Sequence, residues 1–199
     1  MLGIISGIVS AVCALANTLA VAGLAINGLK AVAGLLVNVA KTLGLVEEPK
    51  PEVTEKALQA EEEGITIDKF DSYDDYIKAI DEFELNPDKQ HSEEELLQKK
   101  VELVSEYISE KSPEMPLESI FKVEAADPQF FTTARMSEIG KVSGGDAEKM
   151  NAMFGLLTGQ EKNVDKLEGA EKMLIQVEKN LDPSITDKEA LSRIYDHRL

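Results

Sequence analysis

No charged residue occurs before Lys30, and the first 46 residues are almost wholly Ala, Val, Leu, Ile, Gly and small polar side chains. The run from Leu2 to Leu29 exceeds the roughly 20 apolar residues that cross a bilayer. A helix on the surface of a soluble protein carries a wide charged face, so a helix apolar on every side belongs inside a bilayer or inside protein. A secretory signal, by contrast, opens with positive charge ahead of an apolar core of about 7–15 residues.

The segment is also repetitive. Ala20 to Lys30 reads AVAGLAINGLK, Ala31 to Lys41 reads AVAGLLVNVAK, and the two blocks agree at seven of eleven positions. Eleven residues make about three turns at roughly 3.67 residues per turn, so equivalent side chains line up along a nearly straight rod. A polar stripe of Ser6, Asn17, Asn27, Lys30, Asn38 and Lys41 follows. Gly3 and Gly7 form a GxxxG pair, and with Ser10, Ala14, Gly23 and Gly34 they mark a small-residue face suited to close helix packing and self-association. Asn amides and Lys ammonium groups on such a rod meet a partner copy, a wet lumen or lipid headgroups. As one helix, residues 2–43 would measure about 63 Å, about twice the hydrocarbon core. Part of the rod then lies outside the bilayer, or it bends near Asn27-Gly28 into a hairpin. The return of Asn at position 38 without a following Gly weighs against the bend.

Charge divides the chain sharply. Lys30, Lys41 and Lys50 against Glu47 and Glu48 leave the first 50 residues at +1; the other 149 hold 18 of the 21 basic and 35 of the 37 acidic residues, a balance of −17. Such a domain is repelled by phosphate backbones, which excludes direct nucleic-acid binding by it. Cys13 is the single cysteine, so neither an intrachain disulfide nor a Cys-based zinc site can form, and in its apolar setting it packs as a small hydrophobe.

The organisation expected is all-α: a long apolar N-terminal helix or helical hairpin over 1–46, a Pro/Glu linker over 47–52, and a small acidic multi-helix domain over 53–199. Glu47-Glu48-Pro49-Lys50-Pro51 cannot continue an apolar helix. Val53 to Glu63 predicts a helix ended by Gly64, and Ile65 to Phe70 alternates like a short strand or extended linker. Ser72 with Asp75, Ser92 with Glu95, and Thr186 with Glu189 read as capping pairs, and Asp146 as an N-cap. Leu97, Val101, Val104 and Ile108 form one seam; Leu167, Ala170, Leu174, Val177 and Leu181 form another. Leu117 to Ala125 fits helix or strand, Asp127-Pro128 predicts a helix start, and Gly140 and Gly144-Gly145 predict breaks.

Chemistry is sparse. His91 reads as a solvated position beside a helix cap, and His197 as a complement to a helix dipole. Asp68, Asp71, Asp74 and Asp75 miss the alternate-position spacing of a calcium loop, and Ser143-Gly144-Gly145-Asp146 lacks the Lys of a phosphate loop. No catalytic residue, cofactor or metal is expected. The expected protein is a non-enzymatic, membrane-inserting one that self-associates through its N-terminal helix, as a pore, an envelope-penetrating device or an anchor. Its partners are copies of itself and lipid, and its location is a membrane or the interior of a large assembly. The alternative is a structural subunit of a filament, phage tail or virion-like assembly, packed with other subunits, whose apolar helices bundle without lipid. The layout is similar to that of phage ejection or tail-interior proteins and some pore formers.

Overall fold

The second repeat block forms the centre of a helical domain. The computed structural model describes residues 25–45 and 47–199; there the chain is all-α, with nine α-helices and one 3-10 turn. Helix α1 (Ala25–Thr42) buries Leu29, Ala31, Val32, Ala33, Leu35, Leu36, Val37, Val39 and Ala40, which cover most of its circumference; the remaining strip of Asn27, Lys30, Gly34, Asn38 and Lys41 is exposed or half-buried. Helix α4 (Glu93–Lys111) lies along one side of it and α6 (Thr133–Ser143) along another, with α5 (Leu117–Ala126) in smaller contact. Both large neighbours run parallel to α1. Lys30 meets Glu93 at one end while Leu43 meets Tyr107 at the other. Likewise Gly34 faces Thr133, and Thr42 faces Gly145. The chain therefore enters α1 at the end of the bundle where α4 and α6 also begin.

Helices α2 (Pro51–Glu62) and α3 (Tyr73–Glu82) pack against each other and onto α4. Helix α8 (Val164–Leu181) packs on α6, α7 (Ala147–Leu157) and α9 (Asp187–Asp196), and α7 also touches α5. One hydrophobic core joins residues from all nine helices. It runs across segment 47–52, which turns the chain from α1 into α2 and does not separate two cores among the described residues. The turn is built at Gly44 (φ 105°), where Leu45 N–H donates to Ala40 O at 2.9 Å and Gly44 N–H to Lys41 O at 3.2 Å, satisfying the last carbonyls of α1.

Local capping signals hold. Ser72, Ser92, Asp146 and Thr186 each accept a hydrogen bond from the backbone N–H three residues on, and at Ser92 and Thr186 the reciprocal Glu bond completes a capping box. Three expectations are corrected. Ile65 to Phe70 contains one 3-10 turn (Ile67–Lys69) instead of a strand. Asp127-Pro128 opens no helix: Asp127 accepts from Phe130 N–H through its side chain and from Phe131 N–H through its carbonyl, closing a turn that sinks both rings into the core. Helix α6 starts at Thr133, capped by Thr132. Gly140 breaks nothing; it is the small floor in α6 on which Leu35 of α1 rests, 3.0 Å from where a Cβ would stand. Helix α1 is helical through Asn27-Gly28, so no hairpin bend falls there.

Gly145 (φ 70°) sits against the Thr42 hydroxyl, itself held by a 2.7 Å bond to Val39 O. Gly145→Ala would force an unfavourable backbone and drive a methyl into Thr42. Equilibrium urea unfolding is expected to show a loss of about 2 kcal/mol.

Candidate functional site

The feature that sets this domain apart is an apolar helix enclosed by acidic amphipathic ones, and the polar stripe shows how the enclosure is made. Lys30 pairs with Glu93 at 2.9 Å, and Lys41 pairs with Glu48 at 3.3 Å. Lys100 also reaches Glu48 at 3.2 Å; its hydrogen bond, with that of Lys41, holds the Glu48 carboxyl below the usual range. The Asn38 amide donates to the Ser137 hydroxyl at 3.4 Å, and Asn27 is exposed. Gly34 lies beside Thr133, with 3.7 Å from its would-be Cβ to the Thr methyl. At Gly34 and Asn38 the neighbour is thus α6 of the same chain. Ser6, Asn17, Gly3, Gly7, Ser10, Ala14 and Gly23 lie outside the described residues, as does Cys13.

The outer face of α4 carries a buried ionic cluster. Lys99, 3% exposed, donates to Glu61 of α2 at 2.8 Å and to Glu102 at 3.0 Å. Burial works against its charge, but Glu102, Tyr76 and Glu61 outweigh it and raise its pKa. Burial raises Glu102 too. Glu106, one turn further on, is 4% exposed with an Oε1 that has no hydrogen-bond partner; burial and the Glu102 charge push it up to about 7. Tyr76 of α3 closes the cluster, its phenol raised to about 12 by burial. Beside it, His91 is wedged between two carboxylates of α2, with Nδ1 2.7 Å from Glu55 and Nε2 3.5 Å from Glu62. The Glu55 bond raises the His91 pKa and makes this a clasp instead of a solvated position. Gln59 ties the same loop to α2 through the carbonyls of Asn86 and Lys89.

Two further carboxyl groups are buried elsewhere. Glu124 in α5 is fully buried with both oxygens unpartnered, and burial alone raises it to about 7. Glu178 in α8 is held bidentately by Arg135 (2.7 and 3.0 Å) and by Arg193 at 3.2 Å. Arg135 lies 3.8 Å over the Phe130 ring, which also stacks on the His197 ring at 3.9 Å and meets the Phe131 ring edge-on. His197 bonds Asp127 at 2.6 Å, so it fastens the chain end to the α5–α6 turn instead of serving a helix dipole.

Lys99, Glu102 and Glu106 follow the i, i+3, i+7 spacing of a helix face, a second stripe on α4 that periodicity could have revealed beside the apolar seam. Glu124 had no such signal. A cleft of about 730 Å³ lies between the α1–α2 turn and the sides of α3 and α4, with Val53, Ile77, Tyr73 and Tyr107 among its walls. Its lysines are engaged: Lys50 with Glu47, Lys111 with Glu110, and Lys56 with the Asp81 carbonyl. Both histidines are occupied by carboxylates, and among the described residues no group of three or more His, Cys, Asp or Glu could hold a metal ion. No protein-family model, characterised protein or solved structure matches this chain.

Proposed function

We propose that this is a non-enzymatic protein whose apolar N-terminal segment inserts into a membrane and self-associates there, rooted in an acidic helical domain that stays in water. The carrying observation is that the apolar faces of α1 are buried by its own chain, leaving the strip of Asn27, Lys30 and Lys41 at the surface, while an uncharged stretch precedes it in the sequence. Among the described residues no helix is long and apolar enough to cross a membrane, so the inserting part narrows to residues 2–24. At 1.5 Å per residue that length reaches about 34 Å as a helix, enough for a hydrocarbon core of about 30 Å. Helix α1 then acts as a root: pulling it out would strip the core from α4 and α6. The net negative charge of the domain favours neutral over anionic lipid.

One observation favours the second reading, a subunit whose N-terminal segments bundle inside an assembly. The block 31–41, alike at seven of eleven positions to the block before it, has its apolar residues buried by protein here. Liposome flotation and analytical ultracentrifugation of the full chain separate the two. Membrane insertion predicts that the protein floats with phosphatidylcholine vesicles, and that Ile8→Asp with Leu15→Asp cuts the floating fraction more than ten-fold while the helical content of the domain is kept. Assembly predicts an oligomer that does not float and that the same pair of substitutions dissolves into monomers. A wild-type chain that neither floats nor oligomerises would overturn both.

A further inference from the structure

We propose that α2 and α3 form a proton-held cover on α4, closed while Glu106 and His91 carry protons and detaching when both lose them as the solution turns from mildly acidic to mildly alkaline. The geometry is an imbalance of charge inside one interface. Three carboxyl groups, Glu61 from α2 and Glu102 and Glu106 from α4, converge near the single ammonium of Lys99, which is committed to the first two at 2.8 and 3.0 Å. The Glu106 Oε1 is buried with no hydrogen-bond partner, so ionising Glu106 leaves a buried oxygen without a donor, beside a Lys99 charge already bonded to two other carboxylates. Tyr76 contributes a second acid from α3, but its phenol is raised to about 12 and stays neutral over this range. Helix α1, on the opposite side of α4, adds no charge to the cluster, because Lys30 and Lys41 are paired at the surface with Glu93 and Glu48.

The same interface is fastened a second time by His91. Its ring sits between Glu55 and Glu62, its backbone N–H donates to Glu55 at 3.2 Å, and Lys89 pairs with Glu62. A protonated His91 bonds both carboxylates as a cation; a neutral one keeps a single donor. The directions agree. Glu106 binds its proton more tightly closed than open, so the cover loses stability as pH climbs from the ordinary carboxyl value towards about 7. His91 is also raised in the closed form, so its contribution is complete below about 6.5, its unfolded value, and is lost as pH rises through the folded one. Glu55 and Glu62 are lowered, and their contribution is lost only as pH falls below the ordinary carboxyl range. The cover is therefore tightest just above the ordinary carboxyl range, at about pH 5, and loosens steadily from there to about 7, and this holds whether or not the N-terminal segment enters lipid.

The test is hydrogen–deuterium exchange on the full chain from pH 5.5 to 8.5, corrected for intrinsic exchange rates, comparing peptides of α2 and α3 with those of α8 and α9. The opening constant of α2 and α3 is expected to rise on the order of ten-fold or more between pH 5.5 and 8, with α8 and α9 changing far less. Glu106→Gln, which keeps the shape of the protonated carboxyl, should remove most of that slope, and His91→Gln part of the remainder. Should Glu106→Gln fail to fold, carbon-detected NMR titration of the wild-type Glu106 carboxyl gives the answer directly, with a midpoint near 7 expected. Protection of α2 and α3 that is flat with pH, a slope that survives Glu106→Gln, or a Glu106 midpoint in the ordinary carboxyl range would overturn the proposal.

Discussion

Leu36→Ala in α1 is expected to lower the unfolding free energy by about 3 kcal/mol, within the 2–5 kcal/mol range for truncating a fully buried leucine. Leu36 has no exposed surface, and its helix is packed between α4 and α6, which leave little freedom to collapse into the cavity. Against a total stability of about 5–15 kcal/mol for a domain of this size, the urea midpoint should fall visibly. Asn27→Ala, on an exposed position of the same helix, is the matched control and should move it by less than about 0.5 kcal/mol. The comparison separates two homes for the same sequence. A helix that the folded domain can do without would make Leu36→Ala as mild as the control, and the rooted arrangement would fail with it.

The burial of α1 was half legible. That a segment apolar on every side must be enclosed follows from its residues, but lipid and protein enclose with the same side chains, so its composition could not choose between them. The choice is written in the partners. Gly140 looks like a helix breaker in isolation, yet it is the floor for Leu35; Gly144-Gly145 does end α6 as its sequence suggests, and Gly145 is also the seat for Thr42. Caps at Ser72, Ser92, Asp146 and Thr186 could be read because both bonding partners lie within three residues. Asp127 misled for the same reason: an Asp followed by Pro can cap a helix or close a turn, and only the burial of Phe130 and Phe131 decides for the turn. The ionic cluster on α4 escaped notice because its acids and lysine resemble a solvated face until α2 and α3 cover them.

The enclosure also explains why so acidic a chain keeps ionisable groups inside. Helices that bury one face against α1 must bury another against the outer layer, and α4 and α6 are sandwiched in this way. On α4 the outer contact is the Lys99 cluster; on α6 it is Arg135 reaching Glu178 of α8. The two outer contacts differ in balance. Around Lys99 the carboxyl groups outnumber the cation, while Glu178 is shared by two arginines.

Arg135→Ala is therefore expected to be among the costliest single changes outside the apolar core, at about 3 kcal/mol or more. It removes both bonds of a bidentate pair and leaves Glu178, 1% exposed, with one remaining bond to Arg193. It also strips Phe130 of the guanidinium 3.8 Å above its ring, worth roughly 1 kcal/mol where water is excluded. Arg193→Ala should cost far less, about 1 kcal/mol, because that side chain is 40% exposed and its loss leaves the bidentate pair intact. Replacing both members, Arg135→Met with Glu178→Leu, should recover much of the loss, since it is the stranded carboxylate that destabilises. Urea unfolding of the three variants measures the order. Exchange of the Leu199 amide, bonded to Leu157 O at 2.8 Å, reports whether the chain end detaches when the Arg135, Phe130 and His197 stack is broken. Equal costs for Arg135 and Arg193 would mean that net charge, not the buried two-bond geometry, governs the joint between α6 and α8.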